Sequence, residues 1–453
     1  MTDTTAHPCP GLPQRLVANR ITRRDSLWLF GAATTALALQ GCSTSPVSGK
    51  KILVGMSPAD ERQIDQTQAP HQFSQDLGAV QDPQVNAYVG QVLGRLAPQT
   101  HRREVAYNAR VLNANYVNAY TFPAGAMGVT RGILVDLKSE AELAALLGHE
   151  AGHVNARHAA QRQGQALVAQ VAVVGAALTA EARDSKWAPL VGLGAQIGAS
   201  ALLASYSRDN EREADALGQQ YMVAAGYPAG GMTTLHELLL AEEKSQPSML
   251  QTMFSTHPMS RERRDTAARE AETRYFASAG LNPQRERFMD STASLRRIEP
   301  TITACQQGET AMGRKQLPEA ERQFAQALRL TPRDYAANLR MAQCQQAQGK
   351  AAEARRYAQA AREIYPQEAQ AAKLNATLRL SLREPAAALD ELNTYDRLLP
   401  GDPGVLFLKG VSYEAMGQQR PAAEHYAGFL RQGAQGDAAS HATGRLKAWG
   451  YVR

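Results

Sequence analysis

The run His149-Glu150-Ala151-Gly152-His153 carries the clearest chemical promise in the chain. On a helix, side chains four apart share a face with about 5–6 Å between Cβ atoms, so both imidazoles can reach one zinc ion at about 2.0–2.1 Å. Glu150 projects about 100° round such a helix, beside the metal rather than onto it. There its carboxylate can take a proton from water held at the metal, as a general base. A third protein ligand is needed, leaving one position open for water and substrate. Glu211-Arg212-Glu213-Ala214-Asp215 supplies carboxylates. Glu211 and Asp215, four apart, give one donor for the metal and one acceptor to hold a ligand histidine through its other N–H. On spacing alone Glu213 competes with Glu211, and a solvated acidic face is the plain alternative. His158, a turn and a residue past the motif, falls off the ligand face and reads as structural. His257, in Thr256-His257-Pro258, is by itself one loop histidine among 10.

These groups need a scaffold. Ser139 is a helix cap, and a helix over 140–160 would carry the histidine pair. Before it, 104–112 and 126–137 are rich in β-branched and alternating apolar residues with Pro123 and Gly125 between them, which predicts two strands of a small sheet. A substrate strand is expected to add along 128–135, since backbone pairing tolerates many sequences. Ser57-Pro58 opens a helix further upstream. The region 166–206, interrupted at 184–189, is apolar but built from Gly and Ala, which favours a buried helical pair or a lid over membrane spans.

The last third repeats. Ala320, Ala354, Ala388 and Ala422 stand 34 apart, as do Pro332, Pro366 and Pro400. That period resembles the tetratricopeptide repeat, two antiparallel helices per unit stacking into a superhelix with a concave binding face. Four units fit over 301–436, with 437–453 as a C-terminal tail.

The start of the chain reads as an address. Arg20, Arg23 and Arg24 precede an apolar stretch over 27–39, which predicts a signal peptide over 1–41, and the paired Arg23-Arg24 resembles a twin-arginine export signal. Leu39-Gln40-Gly41-Cys42 resembles a bacterial lipobox, in which cleavage leaves Cys42 lipidated. Ser43 after it points to the outer membrane. Of four cysteines, Cys9 and Cys42 belong to this leader. Cys305 and Cys344 fall at offset positions of neighbouring repeats, too far apart for a bridge.

HEAGH followed by EREAD, with Asn118-Ala119-Tyr120 and Pro123 ahead of a strand, resembles the gluzincin metallopeptidases related to HtpX and the CAAX prenyl proteases. Pro46-Val47-Ser48-Gly49-Lys50 just after the lipobox is similar to their exported branch. The resemblance implies His149, His153 and Glu211 as ligands of one zinc ion per chain, Glu150 as the general base and Asp215 as the group orienting a ligand. It also implies His257 and Arg263 as candidate gate or transition-state residues. Ala124 departs from the pattern, standing where members often have a second glycine. The fold class expected is mostly α: a zincin-type α+β catalytic domain over 42–295, with a small sheet and the HExxH helix, then an α-solenoid.

At 453 residues and 49.0 kDa the chain has room for both domains. Its net charge of +6 is spread among interspersed acids and bases, which argues against nucleic acid as a partner. The function expected is a zinc endopeptidase of the periplasm, lipid-anchored, cleaving unfolded or misassembled envelope proteins. Its repeats would recruit clients or the outer-membrane assembly machinery. The alternative is a repeat-based chaperone or assembly scaffold with latent proteolysis.

Overall fold

The structure, a computed structural model, describes residues 42–168, 206–245, 253 and 255–452. The signal peptide and most of the apolar region 166–206 lie outside the described residues. The chain divides into two compact units. The smaller includes residues 42–59 and 159–168 among those described. There β1 (Cys42–Thr44) pairs antiparallel with β2 (Lys51–Leu53), Cys42 opposite Leu53.

The larger unit holds the site and the repeats. It begins at Asp60, within α1 (Pro58–Gln75), and continues with α2 (Pro83–Leu96), the latter capped by the Asp82 side chain with Pro83 in its first turn. A three-stranded sheet follows, made of β3 (Asn108–Leu112), β4 (Ala119–Thr121) and β5 (Ala126–Thr130). Its order is β3-β5-β4, with β5 parallel to β3 and antiparallel to β4. Two expectations are corrected here. The stretch 126–137 is not one strand: Thr130 caps a short helix, α3 (Arg131–Asp136), by accepting the Ile133 amide on its side chain. And β5 is the central strand, hydrogen-bonded on both sides, so 128–135 offers no edge to an added strand. The strand expected over 104–112 is confined to its second half.

Helix α4 (Glu140–Ala156) starts at the Ser139 cap and is buried along its whole length. It ends at Ala156 rather than 160, because Arg157 turns left-handed at φ 59°. Across it lies α5 (Arg208–Ala224), opened by a Ser207/Asn210 capping box. The two helices cross at backbone contact. A Cβ on Gly152 would sit 2.8 Å from the Ala214 carbonyl oxygen, and one on Gly218 2.7 Å from the His149 nitrogen. α6 (Gly230–Ser245) and α7 (Arg261–Glu272) complete the layer, and α8 (Arg285–Ser291) and α9 (Ala293–Arg297) lead to the repeats.

Four helix pairs form the array: α10 (Glu299–Gly313) with α11 (Leu317–Leu330), α12 (Tyr335–Ala347) with α13 (Ala351–Ile364), α14 (Gln370–Ser381) with α15 (Pro385–Leu398), and α16 (Pro403–Ala415) with α17 (Gln419–Arg431). The four alanines spaced by 34 are all fully buried in the second helix of each pair. Gly308 and Gly410 accept the rings of Phe324 and Tyr426 where a Cβ would collide. The expected tail is instead a helix, α18 (Asp437–Ala448), whose Ala439, Ala442 and Leu446 close the last pair. Cys305 and Cys344 are free, buried thiols. Among the described residues, no helix is long and apolar enough to cross a membrane.

Candidate metal centre

The close α4–α5 crossing brings both motifs together. His149, His153 and Glu211 meet His257 from the loop before α7, and one ligand atom from each lies within 4.8 Å of the others. His149 Nε2 is 3.1 Å from His153 Nε2 and 3.3 Å from His257 Nδ1. Glu211 Oε1 lies 3.4 Å from His153 Nε2 and 3.1 Å from His257 Nδ1, while its Oε2 is 3.6 Å from His149 Nε2. Tetrahedral zinc with bonds of about 2.0–2.1 Å separates its ligands by about 3.3–3.4 Å. The donor set and its spacing therefore fit a zinc ion, and all four residues are buried.

Each group is held from behind. His149 Nδ1 is 2.9 Å from Asp215 Oδ1. Arg263, placed by the Ser260 cap of α7, donates from Nε and Nη2 to Asp215 at 2.6 and 2.7 Å. Its Nη1 reaches Glu211 Oε2 at 2.7 Å and the Pro258 carbonyl at 2.9 Å. The guanidinium anticipated as a gate or transition-state group is thus taken up in clamping two carboxylates. Glu150 stands at the side of the cluster, its Oε1 3.9 Å from His257 Nε2 and its buried Oε2 without a hydrogen-bond partner among the described residues.

The electrostatics suit a metal site. Burial pushes the Glu150 carboxyl up, toward the range of a useful base. Burial also drives His153 well below the usual imidazole value, leaving the neutral ring a ligand must present. Burial would raise Asp215 and Glu211. His236 and Arg263 nonetheless hold Asp215 far below its usual value, and His257 with His153 does the same for Glu211.

Three residues at the site escaped the sequence reading. His236, on α6, places Nε2 3.3 Å from Asp215 Oδ1; a lone histidine on an apolar helix gives no local signal. Tyr206 stacks on His153 with ring centroids 3.9 Å apart. His158, read as pointing away, has its Nδ1 2.9 Å from His153 Nδ1. Glu213, the rival of Glu211, instead pairs with His158 at 3.1 Å.

Residues 83–271 match the model of peptidase family M48, and residues 311–378 match a tetratricopeptide repeat model. A beta-barrel assembly-enhancing protease of Yersinia pestis is 27% identical over 248 residues, 52% of this chain and 50% of that protein. The mitochondrial metalloendopeptidase OMA1 of Schizosaccharomyces pombe is 32% identical over 178 residues, 39% of this chain and 50% of that protein. The Escherichia coli metalloprotease YcaL is 26% identical over 252 residues, 53% of this chain and 95% of that protein. The chain spans about half or less of the length of the assembly-enhancing proteases it matches. With its motifs converging on one buried cluster and its repeats behind, the chain is similar to peptidase family M48 over residues 83–271 and to the tetratricopeptide repeat over 311–378.

Proposed function

We propose that this protein is a zinc endopeptidase that cleaves unfolded or misassembled envelope proteins, exported and anchored through Cys42 to the outer membrane. His149, His153 and Glu211 hold the ion, and Glu150 is the base. The observation that carries the reading is the buried oxygen of Glu150, without a hydrogen-bond partner among the described residues, beside four converging ligand atoms. A scaffold has no physical use for a carboxylate left uncompensated there.

Zinc would supply a Lewis acid for the scissile carbonyl and lower the pKa of water to about 7. Glu150 takes the proton as the water oxygen adds to the carbonyl carbon, then passes it to the amine nitrogen as the C–N bond breaks. Asp215 and Arg263 keep His149 and Glu211 aimed while charge moves. The repeats present clients, with the outer-membrane assembly machinery as a second partner, a role the name of the Yersinia relative suggests.

Casein digestion by the wild type, with and without chelator, and by Glu150→Ala tests this. Chelator should stop turnover, and Glu150→Ala should retain about one zinc per chain while losing about 10²–10⁴-fold in rate. Digestion by Glu150→Ala at the wild-type rate would end the proposal.

A further inference from the structure

Helix α4 is interrupted at Arg157, which takes the left-handed region disfavoured for an L residue, and helical backbone resumes at His158. Its Nε is held by Glu61 Oε1 at 2.8 Å, and Glu61 Oε2 accepts from Arg102 at 2.8 Å, all three side chains being buried. The break swings His158 back along the helix end. His158 Nδ1 then faces His153 Nδ1 at 2.9 Å, and His158 Nε2 faces Glu213 Oε2 at 3.1 Å.

Proton placement along this row follows from its ends. His153 Nε2 points at the other ligand atoms, so it must offer a lone pair to a metal, and its proton sits on Nδ1. That N–H can only donate to a bare His158 Nδ1. The His158 proton is then on Nε2, donating to the Glu213 carboxylate. Each atom has one role, and every hydrogen bond runs the same way. Tyr206, stacked on the His153 ring, blocks tilting out of this line.

We infer that His158 and Glu213 are positioning residues, a two-membered chain that locks His153 in the tautomer and orientation zinc requires. This rests on His153 being a zinc ligand. Asp215 does the same directly for His149, so each histidine of the HExxH pair ends on a carboxylate, one of them through an intervening imidazole. Outer partners of this kind are typically worth 10–100-fold in metal affinity.

The test uses the full chain and zinc alone. Zinc affinity is measured by competition with a chromogenic chelator for wild type, His158→Ala, His158→Gln, Glu213→Ala and the double alanine variant. Thermal unfolding of the metal-stripped proteins is recorded in parallel. His158→Ala should bind zinc about 10–100-fold more weakly. Glu213→Ala should weaken it less, and should add nothing once His158 is gone. His158→Gln should recover most of the affinity, because its amide can both accept from His153 and donate to Glu213. Metal-stripped melting temperatures should not follow the affinities. Equal affinity of wild type and His158→Ala, or a Glu213→Ala effect of the same size in both backgrounds, would overturn the inference. Should His158→Ala fail to fold, unchanged affinity in the half-exposed Glu213→Ala would overturn it as well. A wild type that binds no zinc would instead overturn the ligand assignment itself.

Discussion

Arg131, the first residue after the central strand β5, reaches into the second repeat, where its Nη1 lies 2.7 Å from Asp334 Oδ2 and its Nη2 3.1 Å from Oδ1. Both side chains are buried, and Asn115 takes the remaining face of the guanidinium at 2.6 and 2.9 Å. Asp334 also caps α12. The catalytic sheet and the repeats are thereby joined through a charge pair, with burial disfavouring the Asp334 carboxylate but Arg131 holding it below its usual value.

Removing one partner strands the other. Arg131→Met should cost about 3–5 kcal/mol in urea unfolding followed by far-ultraviolet circular dichroism. The double variant Arg131→Met/Asp334→Asn, which keeps the helix cap, should lose distinctly less than the two single losses added together. Strict additivity would show that the pair does not couple sheet and repeats.

The α4–α5 crossing is equally exacting. A methyl group at Gly218 would meet the backbone of His149 and Gly148 rather than a movable side chain. Gly218→Ala should therefore push α5 outward, carrying Glu211 away from the histidines. A loss of about 1–3 kcal/mol is expected, with weakened zinc binding by chelator competition. Full affinity in that variant would mean that the close crossing is not what places Glu211.

How much of this was legible beforehand depended on range. The pairs His149/His153 and Glu211/Asp215 are helical neighbours four apart, so spacing alone puts each pair on one face. The 34-residue period exposed the array for the same reason. What escaped were features decided at a distance. The break at Arg157 depends on Glu61, far back in the chain, and without it His158 would indeed point away. The end of β5 likewise depends on Arg131 finding Asp334, so apolar residues in 131–137 that read as strand fold as helix. Arg263 was recognisable only by resemblance, since nothing local says that its guanidinium grips two carboxylates.

Asp65 predicts a pH dependence. Burial raises its carboxyl to about 6, although the amides of Ala124 and Ala126 donate to it. A raised carboxyl binds its proton more tightly in the folded state. Its contribution is thus complete below about pH 4 and lost as pH rises through about 6. Urea midpoints of the wild type should fall more steeply over that interval than those of Asp65→Asn. Parallel pH profiles would rule out Asp65 as the source.

On the proposed mechanism, His257 is placed to gate the site. Its Nδ1, 3.3 Å from His149 Nε2 and 3.1 Å from Glu211 Oε1, stands where a fourth ligand would. With a zinc ion bound and the imidazole there, neither water nor a scissile carbonyl would have a place, and turnover would wait for the 256–258 loop to swing out. If the open form is populated at about 10% or less, removing the side chain frees the position in every molecule and raises turnover about 10-fold or more. His257→Ala should accordingly keep about one zinc through the remaining three ligands and digest casein faster, with more self-cleavage. Loss of zinc would instead make His257 an obligatory ligand. Loss of activity with zinc retained would assign it to stabilising the transition state, and an unchanged rate would return it to a bystander beside the site.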